Sequence, residues 1–297
     1  MDIGWLQDFL TVAELGNFTR AAEQRNSSQA AFSRRIQALE TWLGVTLIDR
    51  SVFPTRLTPE GERFREYAAE ILKQAVDARI SLSGEPSARR DLVRVAMPHV
   101  LATGRLPTWW ADWSSGRGLH CHVIAANVHD TVTALVSGVA DLLVCFHHAQ
   151  QPIHLDPAQY DRLVIGSEQI RPYASRMHAD RWPFPGNRER PLPLLKYSPG
   201  AYLGRMVDLI VDNAPAPLVG NCVFESDMAD VLKSMVLAGY GIAWLPDCAV
   251  GDDEATLVPL ADERWAMTLS VVAYRDRTSN RPAMKRLWAG LMSEQDN

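Results

Sequence analysis

Apolar residues near the amino terminus recur at Phe32, Ile36, Leu39 and Leu43, spacings of four, three and four. That rhythm puts one apolar stripe along a helix and leaves its other face polar. The polar face carries Gln29, Ser33, Arg34 and Gln37. Upstream, Trp5, Leu6, Phe9, Leu10 and Ala13 predict a first helix that Gly16 stops, and Asn17 caps a short second helix over residues 18–24. Arg25 and Asn26 form a tight turn, and Ser27 or Ser28 caps the helix with the polar face. Helix, short turn and helix is the helix-turn-helix arrangement.

After Gly44, the residues Val45, Leu47 and Ile48 predict a short strand, and SVFPTR turns the chain back toward Leu57, making a two-stranded wing with a basic tip. Thr58 opens a long helix with Pro59 in its first turn. Its apolar positions (Phe64, Tyr67 or Ala68, Ile71 or Leu72, Ala75, Ile80) form a seam suited to a partner helix, so a dimer follows. SGEPSARRD, residues 83–91, has the composition of a hinge.

Beyond it the pattern alternates. LVRVAM (92–97), HVIAA (122–126) and LLVCF (142–146) are strand-like, with helices over 107–113 and 130–138 between them. This βαβαβ series predicts a parallel sheet covered by helices. A second series follows: strands at 193–197, 221–225 and 242–246 with helices over 201–211 and 226–237, then a strand at 269–274 and a last helix over 281–292. Two similar α/β lobes hold a ligand between them, outside the carboxyl ends of their strands.

Composition adds limits. At 297 residues and 47% hydrophobic, the chain can bury sizeable cores. Its net charge of -5 excludes a protein that coats nucleic acid indiscriminately, yet Phe18 to Leu57 carries six arginines against three acids. Cys121, Cys145, Cys222 and Cys248 are widely spaced and signal neither a disulfide framework nor a zinc finger. Asp2 precedes any apolar run, and no stretch reaches the roughly 20 apolar residues of a membrane span. The expectation is a cytoplasmic protein. GxSxG, GxGxxG, P-loop and HExxH motifs are all missing, so an enzyme reading has no site to point at and no cofactor is expected. A plain two-lobed ligand-binding protein or enzyme is the alternative to a regulator.

The run NFTRAAEQRNSSQAAFSRRIQALETWLGVTLIDRSVFPTRLTPEGERF resembles, nearly end to end, the winged helix-turn-helix of the LysR-type transcriptional regulators. Ala21, Ala22, Ser28, Gln29, Ala31, Ser33, Ile36, Leu39, Glu40, Leu43, Gly44, Leu47, Arg50, Leu57, Thr58 and Gly61 fit that family's signature, and AGYGIAWLP (238–246) is similar to its effector half. More narrowly, WLQDFL, QAAFSRRI, YSPGAYLGR and SDMADVLKSMVLAGYGIAWLP look like the subgroup that includes the hypochlorite-responsive regulator of enteric bacteria. Two departures stand out. The family's usual proline after the glutamine is Ala30 here, and the position where the enteric sensor has a methionine is Leu203.

The resemblance implies a winged helix-turn-helix over residues 1–57, a linker and dimerisation helix over 58–83, a hinge at 84–91 and an effector domain over 92–297. The effector domain would be two-lobed, like the type 2 periplasmic binding proteins. Lobe I would take about 92–164 and 267–297, and lobe II about 165–266. It also implies a homodimer that pairs into a tetramer, with an effector altering the spacing of the DNA-binding heads.

A helix fits the major groove, where Gln or Arg makes paired hydrogen bonds to base edges. Gln29 and Arg34 are the candidates for base reading. Thr19, Arg20, Ser33 and Arg35 suit phosphate, Arg50 and Arg56 would lie beside the minor groove, and Ser28 and Ala30 open the helix. In the effector half, the polar residues that follow strands are His99, Thr103, Asn127, His147 and His148 in one lobe. The other lobe offers Ser198, Tyr202, Arg205, Ser226 and Asp227, with Tyr197 and Trp244 as walls. Helix amino termini make a small anion the expected ligand. His120 and His122 share a strand face without a visible third ligand, so no metal is expected. Met228 and Cys145 are candidates for oxidation or for packing.

Overall fold

The computed structural model describes residues 2–25, 27–52, 54–83 and 91–293. The expected hinge, residues 84–91, lies outside these except for Asp91. Two compact units make up the chain, and each is taken in turn.

The amino-terminal unit begins with α1 (Ile3–Leu15), whose first turn is capped by Asp2 and which ends at Gly16 in the left-handed conformation. The side chain of Asn17 accepts from Thr19 N at 2.9 Å and Arg20 N at 3.1 Å, starting α2 (Phe18–Gln24). Of the two serines, Ser28 is the cap of α3 (Gln29–Leu43). Phe32, Ile36 and Leu39 are fully buried against Leu6, Phe9, Leu10, Ala21 and Ala22. That burial seats α3 on α1 and α2 and turns its polar face outward.

The wing is shorter than expected. Strand β1 (Ile48–Asp49) pairs antiparallel with β2 (Arg56–Leu57), and Val45 stays exposed outside it. The carboxylate of Glu40 accepts from Leu47 N at 2.9 Å and Ile48 N at 3.2 Å, so α3 itself anchors the start of the wing. Thr58 opens α4 (Pro59–Ser83) by accepting from Gly61 N at 3.0 Å and donating to Thr46 O at 2.7 Å. The expected seam on α4 divides into two faces. Ala68 and Leu72 are buried and Phe64 packs on Phe9, whereas Tyr67 is 68% exposed. The side chain of Ile80 lies outside the description.

The larger unit opens with β3 (Leu92–Pro98), α5 (His99–Gly104), α6 (Leu106–Ser114), β4 (His120–Ala126), the start of α7 (Val128–Val136), whose residues from Val132 on group with the first unit, and β5 (Leu142–His147). Strand β3 pairs in parallel with β4 and β5. The remainder is β6 (Tyr160–Ser175), β7 (Leu192–Tyr197), α8 (Tyr202–Asp212), β8 (Gly220–Ser226), α9 (Ala229–Leu237), β9 (Ala243–Pro246), α10 (Asp247–Val250), β10 (Leu257–Pro259), β11 (Met267–Asp276) and α11 (Pro282–Ser293). Strands β7 and β8 are parallel, and a parallel bridge from Leu194 to Ile242 adds the start of the β9 segment.

A wholly parallel sheet is not what forms. Strand β11 runs antiparallel to both β5 and β6. The sixteen-residue β6 pairs with β11 from Tyr160 to Ile170, and from Ile170 onward with β9 and β10. It therefore belongs to both lobes and carries the chain across the expected boundary at residue 165. Its early residues alternate with solvent while its end, Tyr173 to Ser175, is buried. On β6, Glu168 has a side chain only 1% exposed. It accepts from Arg105 of lobe I and, at 2.7 Å, from Cys248 N of α10 in lobe II. One buried carboxylate thus ties both lobes to their shared strand.

Candidate DNA-reading face and effector cleft

On the amino-terminal unit, Thr19, Gln29, Ser33 and Arg50 line one concave surface of about 340 Å³ together with Asn17, Phe18 and Thr55. The start of α2, the outer face of α3 and the base of the wing meet there. Thr19, Arg20, Ser28, Gln29, Ala30 and Arg34 are all exposed. Arg20, Arg34 and Arg56 enter no ion pair among the described residues, so their charge is available to a polyanion. Thr55 and Phe18 were not singled out from sequence, and Asn17 was read there only as a helix cap. Thr55 is brought in by its amide, which donates to Gly16 O at 2.8 Å, a contact 39 positions apart that no local pattern reveals.

Two of the expected phosphate and groove ligands have other partners. Arg35 binds the buried carboxylate of Asp8 and donates to Ser27 Oγ at 3.2 Å. It is drawn back onto α1 instead of standing out toward a phosphate, because an unpaired Asp8 at 2% exposure would be costly. Arg50 donates to Glu40 at 3.1 Å and to Ser33 Oγ at 3.3 Å and lies over the Phe18 ring at 4.9 Å. It sits against α3 at the root of the wing, and of the expected wing pair only Arg56 is left extended.

In the larger unit, the cleft between the lobes holds a cavity of about 240 Å³. It gathers His99, Asn127, Tyr202, Asp227 and Met228 from the expected set. Pro98, Val100, Ala125, Ala126, Phe146 and Leu203 add apolar wall, and Asp130 adds a second carboxylate. Each residue stands at the end of a strand or in the first turn of the helix that follows, namely β3–α5, β4–α7, β5 and β8–α9, with α8 closing the far side. Burial pushes the Tyr202 phenol up to about 12, so it stays protonated and donates to Gln151 O at 3.2 Å. Asn127 caps α7, accepting from Asp130 N at 2.9 Å and donating to the Asp130 carboxylate at 2.7 Å.

The other expected effector residues do not line this cavity. Ser198, Arg205 and Trp244 border a separate cavity of about 320 Å³ between α8 and β7. Arg205 donates to Gly200 O at 2.6 Å, and Trp244 is buried with its indole on Trp265 O at 3.0 Å. Thr103 donates to His99 O at 3.1 Å and to Asp230 at 3.4 Å. Ser226 Oγ accepts from Met228 N at 3.1 Å, and His148 Nδ1 from Gln150 N at 3.3 Å. His147 Nδ1 is buried without a partner among the described residues, and burial, with Arg162 and His148 nearby, lowers its pKa. Cys145 is fully buried and its thiol is pushed well up, which fits packing and not oxidation. Among the described residues no group of three or more His, Cys, Asp or Glu could hold a metal ion.

Comparison with known proteins follows the same division. A profile described as "Bacterial regulatory helix-turn-helix protein, lysR family" matches residues 3–62, and one described as "LysR substrate binding domain" matches residues 87–295. This chain belongs to the LysR family.

It is accordingly a DNA-binding transcription regulator with an effector-binding domain, and its family is one of regulators, not enzymes. Among LysR-type relatives, the HTH-type transcriptional regulator YjiE of Escherichia coli is 32% identical over 97% of this chain and 93% of its own length. A full-length structure of HypT from Salmonella typhimurium, a hypochlorite-specific LysR-type regulator, covers 100% of this chain and 99% of its own, at 30% identity and a TM-score of 0.60. Vibrio fischeri DarR, solved in complex with DNA, covers 98% of each chain at 31% identity and a TM-score of 0.59. The LysR signature also acquires physical reasons. Gly61 is required because a Cβ there would lie 2.0 Å from the carbonyl oxygen of Leu47, and Glu40 is required because it holds both the wing amides and Arg50.

Proposed function

We propose that this regulator reads promoter DNA with Gln29 and Arg34 on α3. In this reading Thr19, Arg20, Ser28, Ser33 and Arg56 meet the sugar-phosphate backbone, and Ala30 packs at the helix start. Arg50 sets the Ser33 hydroxyl in place, and Arg35 fixes α3 to α1. The observation that carries the reading is the outward face of α3, where Gln29 and Arg34 are exposed without a side-chain partner among the described residues, on a helix whose opposite face is buried. The chain works in the cytoplasm as a homodimer joined through α4, whose exposed Tyr67 supports a partner helix, and pairs into a tetramer through the effector domains. Among the described residues no helix is long and apolar enough to cross a membrane. The division into 1–57 for DNA, 58–83 for pairing and 92–297 for the effector is part of this proposal, as is a small-molecule effector in the cavity of His99, Asn127, Tyr202, Asp227 and Met228.

The full-length likeness to HypT supports a finer placement in the hypochlorite-responsive subgroup. Within that placement, Met228, half-buried in the cavity lining, is the residue that an oxidant would reach. Leu203 offers no sulfur at the neighbouring position.

The test is a titration of the intact protein on a fragment spanning its gene's upstream region. A shift that weakens steeply as salt rises is the expected result, because each phosphate contact releases counterions. Failure to shift that fragment more readily than an unrelated duplex would count against sequence-specific binding there.

A further inference from the structure

The cavity between the lobes is lined by two carboxylates, Asp227 and Asp130, and one imidazole, His99, and among the described residues no lysine or arginine lines it. Asp227 is not spent on the fold. It has no hydrogen-bond or ion-pair partner among the described residues, and α9, which begins two residues later, has no side-chain cap. Arg205, the cation that sequence placed in this cleft, is turned to Gly200 O and the Tyr202 ring and borders the other cavity.

Helix amino termini do open here, and each presents roughly half a positive charge. Two of the three longer ones already face a full negative charge. Asp130 sits in the first turn of α7 and Asp230 in that of α9, with Asp227 just ahead of it. Only α8 has no acid in its first turn. An anion entering the cavity meets carboxylates with no cation in the lining to offset them, and a cation meets the opposite. Val100, Phe146, Tyr202, Leu203 and Met228 supply apolar wall in a volume of about 240 Å³, which suits a compact body.

We infer that the effector is a small organic cation, a protonated amine or amidine on a compact apolar body, whose charge pairs with Asp227. This rests on the proposal that the cavity is the effector site, and it replaces the anion that helix ends alone suggested.

The test compares shape-matched probes on the full-length protein at neutral pH: phenethylamine and benzamidine as cations, phenylacetate and benzoate as anions. Binding is followed by thermal shift and titration calorimetry. Two variants are used, Asp227→Asn to remove the charge and Ala126→Leu to fill the cavity, each first required to shift promoter DNA as the parent does. The expected result is stabilisation by a cation at millimolar concentration, weakened about two- to fivefold in Asp227→Asn, whose carboxylate is exposed, and abolished in Ala126→Leu. Stabilisation by an anion that is lost in Ala126→Leu overturns the charge assignment and leaves the cavity as the effector site. Stabilisation by a cation that Ala126→Leu does not affect overturns both. No shift with any of the four probes overturns the cation assignment, while the DNA result stands independently.

Discussion

Arg35 of α3 closes on the carboxylate of Asp8 in α1, and Arg25 reaches the same carboxylate at 2.9 Å. Asp8 has 2% of its side chain exposed, whereas each arginine keeps 33%. The buried carboxylate is therefore the group that must not lose both partners. Arg25→Ala combined with Arg35→Ala is expected to destabilise the amino-terminal unit by about 3 kcal/mol, since it leaves Asp8 buried and unpaired. Arg35→Ala leaves Arg25 in place and is expected to cost about 1 kcal/mol. Urea unfolding followed by tryptophan fluorescence measures both. Equal stability of the double variant and the parent would show that the network contributes nothing to the fold.

The junction of wing and linker helix depends on one missing side chain. A Cβ on Gly61 would lie 2.0 Å from Leu47 O, and the same carbonyl accepts Thr58 N at 2.9 Å. Gly61→Ala must push α4 away from the wing and is expected to cost about 1–3 kcal/mol. Gly44→Ala, where a Cβ meets nothing within 4 Å but φ is 74°, is the control for backbone strain alone. If Gly61→Ala unfolds at the same urea concentration as the parent, the close approach is not a constraint.

Much of this was legible in the chain because it is local. The stripe of Phe32, Ile36 and Leu39, the caps Asn17 and Ser28, and the stop at Gly16 act within a few residues, and the three amino-terminal helices form where those signals put them. Strand β6 was not legible. Its residues DRLVIGSEQIRPYAS mix charge, Gly166 and Pro172, because half of the strand faces solvent and the other half is buried by partners from distant parts of the chain. Site residues divided the same way. Asn127 and Tyr202 follow from strand-end position, but the pairing of Arg35 with Asp8 was not visible because the two are 27 residues apart. Ser198, Arg205 and Trp244 were grouped with the cleft because sequence shows which strand end a residue follows, not which side of it the residue borders.

Thiol reactivity separates the four cysteines. Cys222 is exposed on β8, Cys121 is half-buried with its thiol pushed up to about 11, and burial drives Cys145 and Cys248 higher still. A raised pKa means less thiolate, about one part in a thousand for Cys121 at pH 8. One fast-reacting thiol per chain is expected with a disulfide reagent at that pH, and Cys222→Ser should remove it. Fast labelling of a second cysteine in the folded protein would contradict the burial of the others.

The most direct test of the DNA-reading face is discrimination. Affinities of Gln29→Ala, Arg34→Ala and Arg56→Ala are measured by fluorescence anisotropy at fixed salt, on the upstream fragment and on a scrambled duplex of equal length. Gln29→Ala and Arg34→Ala are each expected to lose about 1–3 kcal/mol on the upstream fragment and little on the scrambled one, whereas Arg56→Ala weakens both alike. Equal weakening of both duplexes by Gln29→Ala and Arg34→Ala would show that the outward face of α3 holds DNA without reading it.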